Sequence, residues 1–178
     1  MAQTATIYNL SIDLSDVDRG VYEQLDVRIA RHPSETVEYM LVRVLAYCLE
    51  FQDGIFLTEG VASADEPAIL VRDMTGQITA WIEVGLPDAS RLHRGSKMAS
   101  RAAVYTHRGR QLLSQLEGSK VHKSESVPIY TLDSEFIDEV ARLIERRSSI
   151  GLSITEQQIY LTIGSRNFTT PIEQHRIS

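Results

Sequence analysis

Between residues 34 and 106 the apolar side chains change from helical spacing to strand spacing and back, which leaves few topologies open. From Val37 to Phe51 they recur every three or four positions, which predicts a helix with Ser34 as its N-cap. Strand patterns follow at 55–58, 68–72 and 78–84. A second helix, capped by Asp88 and running to about Arg101, leads to a strand at 103–106. Because a strand, a helix and a further strand in this order indicate a right-handed parallel crossover, we predict an α/β protein with a mixed sheet and flanking helices.

The segments on either side add strands to this core. Alternating apolar residues at 6–14 and 25–29 predict an N-terminal β-hairpin, and alternation over 159–172 predicts an antiparallel meander. The segments predicted between them are a short helix at 110–116, a strand at 127–132 and a helix at 133–147. Since no repeat or linker separates two units, the sequence predicts one domain over residues 1–178.

The composition limits where the protein works and what it attracts. The chain has 178 residues, 18 Lys and Arg against 24 Asp and Glu, and a net charge of −6. It has no run of about 18 apolar residues and no basic leader, so we expect a cytoplasmic protein without a membrane partner. The negative charge argues against tight nonspecific binding to nucleic acid, because such binding depends on Lys and Arg displacing counterions. Any contact with nucleic acid is therefore expected to be local.

The residue types argue against several familiar kinds of site. The single cysteine, Cys48, lies in the first helical pattern and is expected to be a small buried hydrophobic residue. The five histidines show no H-x-x-x-H, H-E-x-x-H or Cys-linked spacing, which argues against zinc. No G-x-S-x-G, G-x-G-x-x-G or P-loop motif occurs, which argues against a nucleophile elbow or a nucleotide-binding loop.

A carboxylate within an apolar strand is the most informative residue of the chain. Glu83 lies in the sequence WIEVG, and a buried carboxylate must be solvated, paired with a cation or bound to a metal. If residues 75 and 76 form the centre of a hairpin turn, Leu70 faces Trp81 and Ala68 lies opposite Glu83. The alternative to a functional role is a salt bridge between Glu83 and an arginine of the next helix.

Two more acidic residues precede the partner strand. Asp65 and Glu66 lie just before Pro67, where they could approach Glu83 and complete the oxygen-rich ligand set that Mg²⁺ prefers. Mg²⁺ is therefore the candidate cofactor. The alternative for Asp65 and Glu66 is a solvated loop before the proline.

The following helix carries a row of basic residues. Arg91, Arg94, Lys97 and Arg101 are spaced by three, three and four positions, which confines them to one helix face. Residues 88–110 contain six basic residues against one acidic residue. We predict that this row binds phosphate and forms the contact with nucleic acid, although a solvated helix face has the same pattern.

Four segments resemble the YaeQ family of small bacterial proteins: RHPSETVEYMLVR at 31–43, DEP at 65–67, TGQITAWIEVGLPD at 75–88 and AVYTH at 103–107. The resemblance extends over nearly the whole chain. It implies the restriction-endonuclease-like fold of the PD-(D/E)xK superfamily, whose core is a helix, three strands, a helix and a strand. The apolar spacing predicts the same order independently.

The resemblance also implies a metal site. In that superfamily an Asp and a Glu on neighbouring strands hold Mg²⁺, and a Lys two residues after the Glu positions the attacking water. Glu83 matches the Glu, and Asp65 or Glu66 would supply the other carboxylate. Gly85 stands where the Lys is expected. The task of the Lys would pass to a cation of the next helix, namely Arg91, Arg94 or Lys97.

Three other positions bear on the resemblance. Ala68 stands where the family often has an acidic residue after the Pro of DEP, and it is the residue predicted to lie opposite Glu83. Glu35 and Glu38 match the family's SETxE run on the first helix and could add a carboxylate to the site. Helix capping and solvation account for Glu35 equally well.

The sequence leaves two functions open. The first is a Mg²⁺-dependent phosphodiesterase or nuclease, in which Asp65 and Glu83 bind the metal, the metal lowers the pKa of a bound water, and Arg91 and Arg94 steady the phosphate. The second is a catalytically degenerate protein of the same fold that serves as a binding or regulatory module. The missing Lys, the missing acidic residue and the net negative charge favour the second function.

Overall fold

The computed structural model describes residues 4–60 and 65–177. Within them the chain forms eleven strands, β1 (Thr6–Asp16), β2 (Val21–Arg31), β3 (Ile55–Leu57), β4 (Ile69–Arg72), β5 (Ile78–Val84), β6 (Arg101–Thr106), β7 (Ile129–Thr131), β8 (Arg147–Thr155), β9 (Gln158–Ile163), β10 (Arg166–Pro171) and β11 (Glu173–His175). Its α-helices are α1 (Val37–Leu49), α2 (Ala89–Met98), α3 (Gly109–Leu116) and α4 (Ser134–Ala141). In these two stretches no helix combines the length and the apolar character needed to cross a membrane.

The strands form two mixed sheets. The five-stranded sheet has the order β10-β9-β8-β1-β2, with β1 parallel to β8 and the other pairs antiparallel. The six-stranded sheet has the order β11-β7-β6-β5-β4-β3. In it β5, β6 and β7 are parallel, and the outer pairs are antiparallel.

The main core lies between the two sheets and contains α1 and α4. Helix α1 is buried on nearly all sides, including Met40 and Cys48. These residues belong to the same apolar cluster as Leu10 of β1 and Ile82 of β5, so the core joins both sheets. Helices α2 and α3 cover the opposite face of the six-stranded sheet with smaller apolar clusters. The layers are therefore sheet, helices, sheet and helices, and the outer face of the five-stranded sheet is left to solvent.

The predicted order of elements is confirmed, and the number of sheets is corrected. From α1 to β6 the chain forms a helix, three strands, a helix and a strand, with β5 parallel to β6. The N-terminal hairpin and the C-terminal meander are also present. The structure has two mixed sheets rather than one, because the hairpin and the meander pair with each other through β1 and β8.

Two predicted helix boundaries near the candidate site are wrong. Thr36 rather than Ser34 caps α1, since its hydroxyl accepts a hydrogen bond from the Tyr39 N–H. Helix α2 ends at Met98, and Arg101 is the first residue of β6. The chain leaves the helix early because Arg101 is already paired with the neighbouring strand β5.

A third boundary, at the end of α4, is also wrong. The helix ends at Ala141 instead of Arg147. Residues 147–155 alternate polar and apolar side chains, so they form β8 and pair along β1. Strands β8 and β11 were not predicted, and β11 extends the six-stranded sheet beside β7.

The hairpin of β4 and β5 determines where Glu83 lies. Leu70 faces Trp81, as predicted, although a bulge near Arg72 shifts the pairing next to the turn. The same register, continued by one residue, places Ala68 beside Glu83. Ala68 itself precedes β4 and packs in the main core, in the same apolar cluster as Ile69.

Candidate functional site

The Glu83 carboxylate is buried and engaged by its neighbours. Glu83 is 3% exposed, near the end of β5. Arg91 Nε donates to Glu83 Oε2 at 2.8 Å, and Arg91 Nη2 donates to Oε1 at 3.3 Å. Trp81 Nε1 donates to Oε2 at 3.3 Å. The salt bridge to the next helix, which the sequence left open, is therefore present.

The first turn of α2 brings Arg91 to this position. Asp88 caps the helix, because its Oδ1 accepts a hydrogen bond from the Arg91 N–H at 2.9 Å. Arg91 Nη2 also donates to the backbone carbonyl of Glu66 at 2.7 Å. One guanidinium thus links the end of β5, the start of α2 and the loop before β4.

The two charges of this pair act on each other. Burial raises the pKa of the Glu83 carboxyl, and the hydrogen bonds and charge of Arg91 oppose that rise. The hydrogen bonds to Glu83 in turn raise the pKa of the Arg91 guanidinium. The Glu83 carboxylate is compensated by an arginine of the same chain.

The acidic residues predicted as metal ligands are not brought together. The Asp65 side chain is 94% exposed and lies 3.6 Å from Arg94 Nη1, measured from Asp65 Oδ1. The backbone carbonyl of Glu66 accepts a hydrogen bond from Arg91 Nη2. Over the stretches 4–60 and 65–177, no three His, Cys, Asp or Glu side chains are grouped so as to hold a metal ion. Mg²⁺ is usually held by one or two protein carboxylates together with waters. Here Glu83 is engaged by Arg91, and the exposed Asp65 side chain lies beside Arg94, so the paired carboxylates that the resemblance implies do not fit a Mg²⁺ site in this arrangement.

The predicted row of basic residues is divided between two places. Arg94 and Lys97 are exposed on α2, whereas Arg91 is turned to the carboxylate of β5. Arg101 lies in β6 and donates to both carboxylate oxygens of Glu50, at 2.8 and 3.1 Å. The predicted position of Arg101 on the same helix face as the other three is therefore wrong.

A cleft of about 430 Å³ opens beyond the carboxyl ends of the parallel strands β5 and β6. Crevices at such strand ends are the usual ligand sites of α/β proteins. Its lining includes Glu35, which precedes α1, Glu38 from the first turn of α1, and Gly85, which follows β5. Its other polar lining residues are Ser34, Thr36, Tyr39, His107, Arg108 and Asp138.

Glu35 is a buried carboxylate without a donor. It is 4% exposed, and neither of its side-chain oxygens accepts a hydrogen bond within the described chain. Burial raises the pKa of the Glu35 carboxyl, and the positive charge of Arg43 opposes that rise. Because buried polar atoms almost always have a partner, this carboxylate makes the cleft a place where an additional donor would be stabilising.

Tyr39 lines the cleft and lies against Gly85, two residues after Glu83. Gly85 adopts a φ of +88°, and a Cβ at this position would lie 3.0 Å from Tyr39 Cε2. A side chain at the position where the resemblance expects a Lys would therefore strain the backbone, and the ring of Tyr39 would have to move by a few tenths of an ångström. Burial raises the pKa of the Tyr39 hydroxyl to about 12, so it remains a protonated hydrogen-bond donor at neutral pH.

His107 adds an unused ring nitrogen to the cleft. Its Nδ1 is buried and has no hydrogen-bond partner among residues 4–60 and 65–177. Burial lowers the pKa of the imidazole, so His107 is neutral at neutral pH. The cleft can therefore hydrogen-bond a polar ligand. Neither His107 nor Tyr39 is predicted from the sequence as a site residue, although His107 directly follows a parallel strand, where such sites form.

Known proteins match this chain over nearly its full length. A family profile described as "YaeQ protein" matches residues 1–172. The "Uncharacterized protein YaeQ" of Escherichia coli (strain K12) is 31% identical over 169 residues, which cover 94% of this chain and 93% of that protein. The protein of the same description from Salmonella typhi is 30% identical over 169 residues, which again cover 94% of this chain and 93% of that protein.

Two solved structures have the same overall fold. The crystal structure of the YaeQ protein from Pseudomonas syringae is 30% identical, covers 97% of both chains and superposes with a TM-score of 0.85. That of the YaeQ protein from Xanthomonas axonopodis pv. citri is 26% identical, with 98% of this chain and 100% of that chain covered and a TM-score of 0.86. The family profile, the sequence identities and the shared architecture agree, and the chain belongs to the YaeQ family.

Proposed function

We propose that this protein is a binding module on a restriction-endonuclease-like scaffold and does not cleave phosphodiester bonds through Mg²⁺. The observation that carries the proposal is the engagement of both Glu83 carboxylate oxygens by Arg91. A metal ion at Glu83 would have to displace this bidentate pair, in which the charge-assisted hydrogen bonds are among the strongest that a protein makes. The arginine thus occupies the place that a divalent cation would take.

Two neighbouring positions support the proposal. Ala68, which precedes β4 and packs in the main core, has a methyl side chain and no side-chain oxygen that could complete a ligand set with Glu83. Gly85, two residues after Glu83, has a positive φ and is covered by the ring of Tyr39. A lysine at this position would strain the backbone and press against that ring, so the position is unfavourable for the water-positioning group of the superfamily.

The relation to the PD-(D/E)xK scaffold rests on the order of the helices and strands and on the position of Glu83 in them. The helix, three strands, helix and strand from α1 to β6 match the superfamily core, and Glu83 lies near the end of the third strand, as the metal-binding Glu does. Fold does not determine function, so a scaffold of this kind is compatible with a protein that only binds.

Nucleic acid is the ligand class we propose for the exposed face of α2. Only Arg94 and Lys97 of the predicted row remain exposed on this helix, and Arg94 is within 3.6 Å of Asp65. Two phosphate contacts correspond to a slope of about −1.8 when the logarithm of the affinity for duplex DNA is plotted against the logarithm of the salt concentration. We therefore expect weak binding with a shallow salt dependence.

The test combines metal binding with cleavage. The purified protein is titrated with Mg²⁺ and Mn²⁺ at millimolar concentrations while the melting temperature and the fluorescence of Trp81 are recorded. Trp81 is the sole tryptophan, and its indole N–H donates to Glu83, so its emission reports on that carboxylate. We expect no saturable change in either signal, because a ligand bound to the native state must raise its stability.

Single- and double-stranded DNA and RNA are then incubated with the protein and either metal, and binding is measured in parallel. We expect weak, salt-sensitive binding without cleavage, and weaker binding by Lys97→Gln. A melting temperature that rises with metal, together with cleavage that disappears in Glu83→Gln but persists in Arg166→Gln, on the edge strand β10 of the other sheet, would contradict the proposal and support the metal-dependent nuclease instead.

A further inference from the structure

The outer face of the five-stranded sheet carries a cleft of about 440 Å³, far from the site described above. Asn9 and Ser11 of β1 lie along its middle. Arg28 of β2 lines one side, and Arg147 and Ser149 of β8 line the other. Three adjacent strands, two from the start of the chain and one from near its end, therefore build this cleft.

The register of the sheet brings the two arginines into one row. Asn9 pairs with Arg28 across β1 and β2, and the same Asn9 is aligned with Arg147 across β1 and β8. Because neighbouring strands are about 4.8 Å apart, the two arginine backbones are separated by about 10 Å, with Asn9 between them. Two guanidinium groups can therefore approach one ligand from opposite sides.

The guanidinium groups of the two arginines have no partner in the described part of the protein. Within residues 4–60 and 65–177, neither the Arg28 nor the Arg147 guanidinium forms a hydrogen bond or an ion pair with another side chain or with the backbone. Asp26 is the acidic residue in the lining, so the cleft has a net positive charge. This local charge opposes the net charge of −6 of the whole chain.

Neutral donors complete the lining. Ser11 Oγ accepts a hydrogen bond from Gln24 Nε2 at 3.1 Å, which leaves its O–H free to donate. The Ser149 hydroxyl and the Asn9 amide are also on the lining strands. An adjoining cleft of about 530 Å³ shares Asn9 and Arg147 and adds Arg146 together with Glu145.

We propose that this cleft binds the phosphate group of a small ligand or of a nucleic acid end, independently of the α2 face. Guanidinium groups bind phosphate oxygens through paired, charge-assisted hydrogen bonds, and hydroxyl and amide groups supply further donors. A phosphate monoester carries a charge of about −1.5 to −2 at neutral pH, opposite in sign to the net charge of the two arginines and Asp26. The volume of the cleft also leaves room for a nucleoside attached to the phosphate.

The experiment uses NMR of the ¹⁵N-labelled full chain at constant ionic strength, maintained with sodium chloride. Inorganic phosphate, a nucleoside monophosphate and a short 5′-phosphorylated single-stranded DNA are titrated separately. We expect saturable shifts of the Arg28 and Arg147 Nε–H signals and of the Ser149 amide with at least one of them. Tighter binding of the monophosphate identifies a small ligand, and tighter binding of the DNA identifies a strand end.

Matched variants test the assignment. Arg28→Gln and Arg147→Gln remove the guanidinium charge at exposed positions and keep a polar side chain, and each is expected to weaken binding about tenfold or more. Arg166→Gln, on the edge strand β10 of the same sheet and outside the cleft, should leave the affinity unchanged. Shifts that do not saturate with any of the three phosphates, or affinities that are the same in Arg28→Gln, Arg147→Gln and the unaltered chain, would overturn the proposal.

Discussion

Two buried carboxylates close to one another in the fold have opposite surroundings. Glu83 accepts three hydrogen bonds, from Arg91 and Trp81, whereas Glu35 accepts none within the described chain. The first carboxylate is therefore stabilised as an anion by the protein itself. The Glu35 carboxylate is shielded from water, and neither of its oxygens accepts a hydrogen bond within the described chain. The free energy of folding should therefore depend on whether Glu35 is ionised.

We predict that Glu35→Gln raises the melting temperature by a few degrees at neutral pH and not at pH 4. The pKa of Glu35 is raised from its ordinary value of 4.5 by burial, which Arg43 opposes without cancelling. Below that ordinary value the carboxyl is protonated in both states and contributes its full stability. As the pH rises through the raised native pKa, this contribution is lost, and Gln avoids the loss because it does not ionise.

Thermal unfolding of both chains between pH 4 and 8 measures this effect. Glu35→Asp is the control, because it retains an ionisable group at the same place and should retain the pH dependence. Equal pH dependence of the unaltered chain and Glu35→Gln would show that another group is responsible.

The partner of Glu83 was accessible from the sequence, and the isolation of Glu35 was not. A carboxylate in an apolar strand needs a cation, and Arg91 is the first one after the capping Asp88. The surroundings of Glu35 depend instead on which acceptors the guanidinium groups of Arg31 and Arg43 bond to. Arg31 donates to the Glu35 backbone carbonyl and Arg43 to the carbonyls of Thr58 and Ala68, and no local pattern encodes these choices.

At the scale of the element, α2 lies close against β5 because it has a glycine at the contact. A Cβ at Gly95 would lie 2.6 Å from both Cγ and Nε1 of Trp81. Real Cβ atoms do not approach this closely, so the helix is held at a distance that only glycine permits. The same indole donates to Glu83, and the position of α2 therefore also determines the geometry of the ion pair.

We predict that Gly95→Ala destabilises the protein by about 1–3 kcal/mol, the usual range for overpacking a core. Helix propensity alone would give the opposite sign, since Ala is about 1 kcal/mol better than Gly within a helix. Chemical denaturation followed by Trp81 fluorescence gives both the stability and the change around the indole. Lys97→Ala, on the exposed part of the same helix, is the control and should change the stability by less than about 0.5 kcal/mol. An increase in stability of Gly95→Ala would contradict the close contact.

The element types between residues 34 and 106 were predictable, whereas the ends of the helices were less so. Apolar spacing identifies α1, β4 and β5, because each repeats its period over several residues. The end of α2 is different, since Arg101 continues the helical spacing of basic residues and is removed from the helix by pairing with β5 and by its bonds to Glu50. Tertiary contacts decide such boundaries, and they are absent from the local sequence.

For the whole molecule, we expect the two sheets to unfold as one cooperative unit, because α1 packs between them in a shared apolar cluster. Cys48, in the last turn of α1, has no exposed surface, and burial raises the pKa of its thiol to about 12. The thiolate is the reactive form, so Cys48 should react with alkylating reagents only when the core opens. It is the sole cysteine and therefore gives an unambiguous signal.

We predict that alkylation of Cys48 under native conditions is slower than in the denatured chain by about a thousandfold or more, as expected for opening through global unfolding. The rate should rise with denaturant as steeply as the unfolded fraction measured by circular dichroism. Lys97→Cys with Cys48→Ser places a thiol on the surface and should react rapidly. Fast labelling of Cys48 that does not depend on denaturant would indicate that the end of α1 opens locally.

The pairing of the two chain ends lay beyond sequence analysis. The hairpin and the meander were each predicted from alternation, but β1 and β8 are nearly the full chain apart, and nothing in either strand specifies its neighbour. A local pattern identifies a strand and its buried face, whereas the partner strand is decided by the packing of both faces around α1. The phosphate cleft that we propose depends on this pairing and was therefore also inaccessible from the sequence.

One consequence concerns self-association. Strand β2 is eleven residues long and ends the five-stranded sheet, so its outer backbone groups could template the addition of a second molecule. Charged side chains along it, including Glu23, Asp26 and Arg28, discourage such aggregation. Arg28 would then both bind the ligand and oppose aggregation at the edge strand. Its loss would therefore favour association through this edge as well as weaken ligand binding in the cleft.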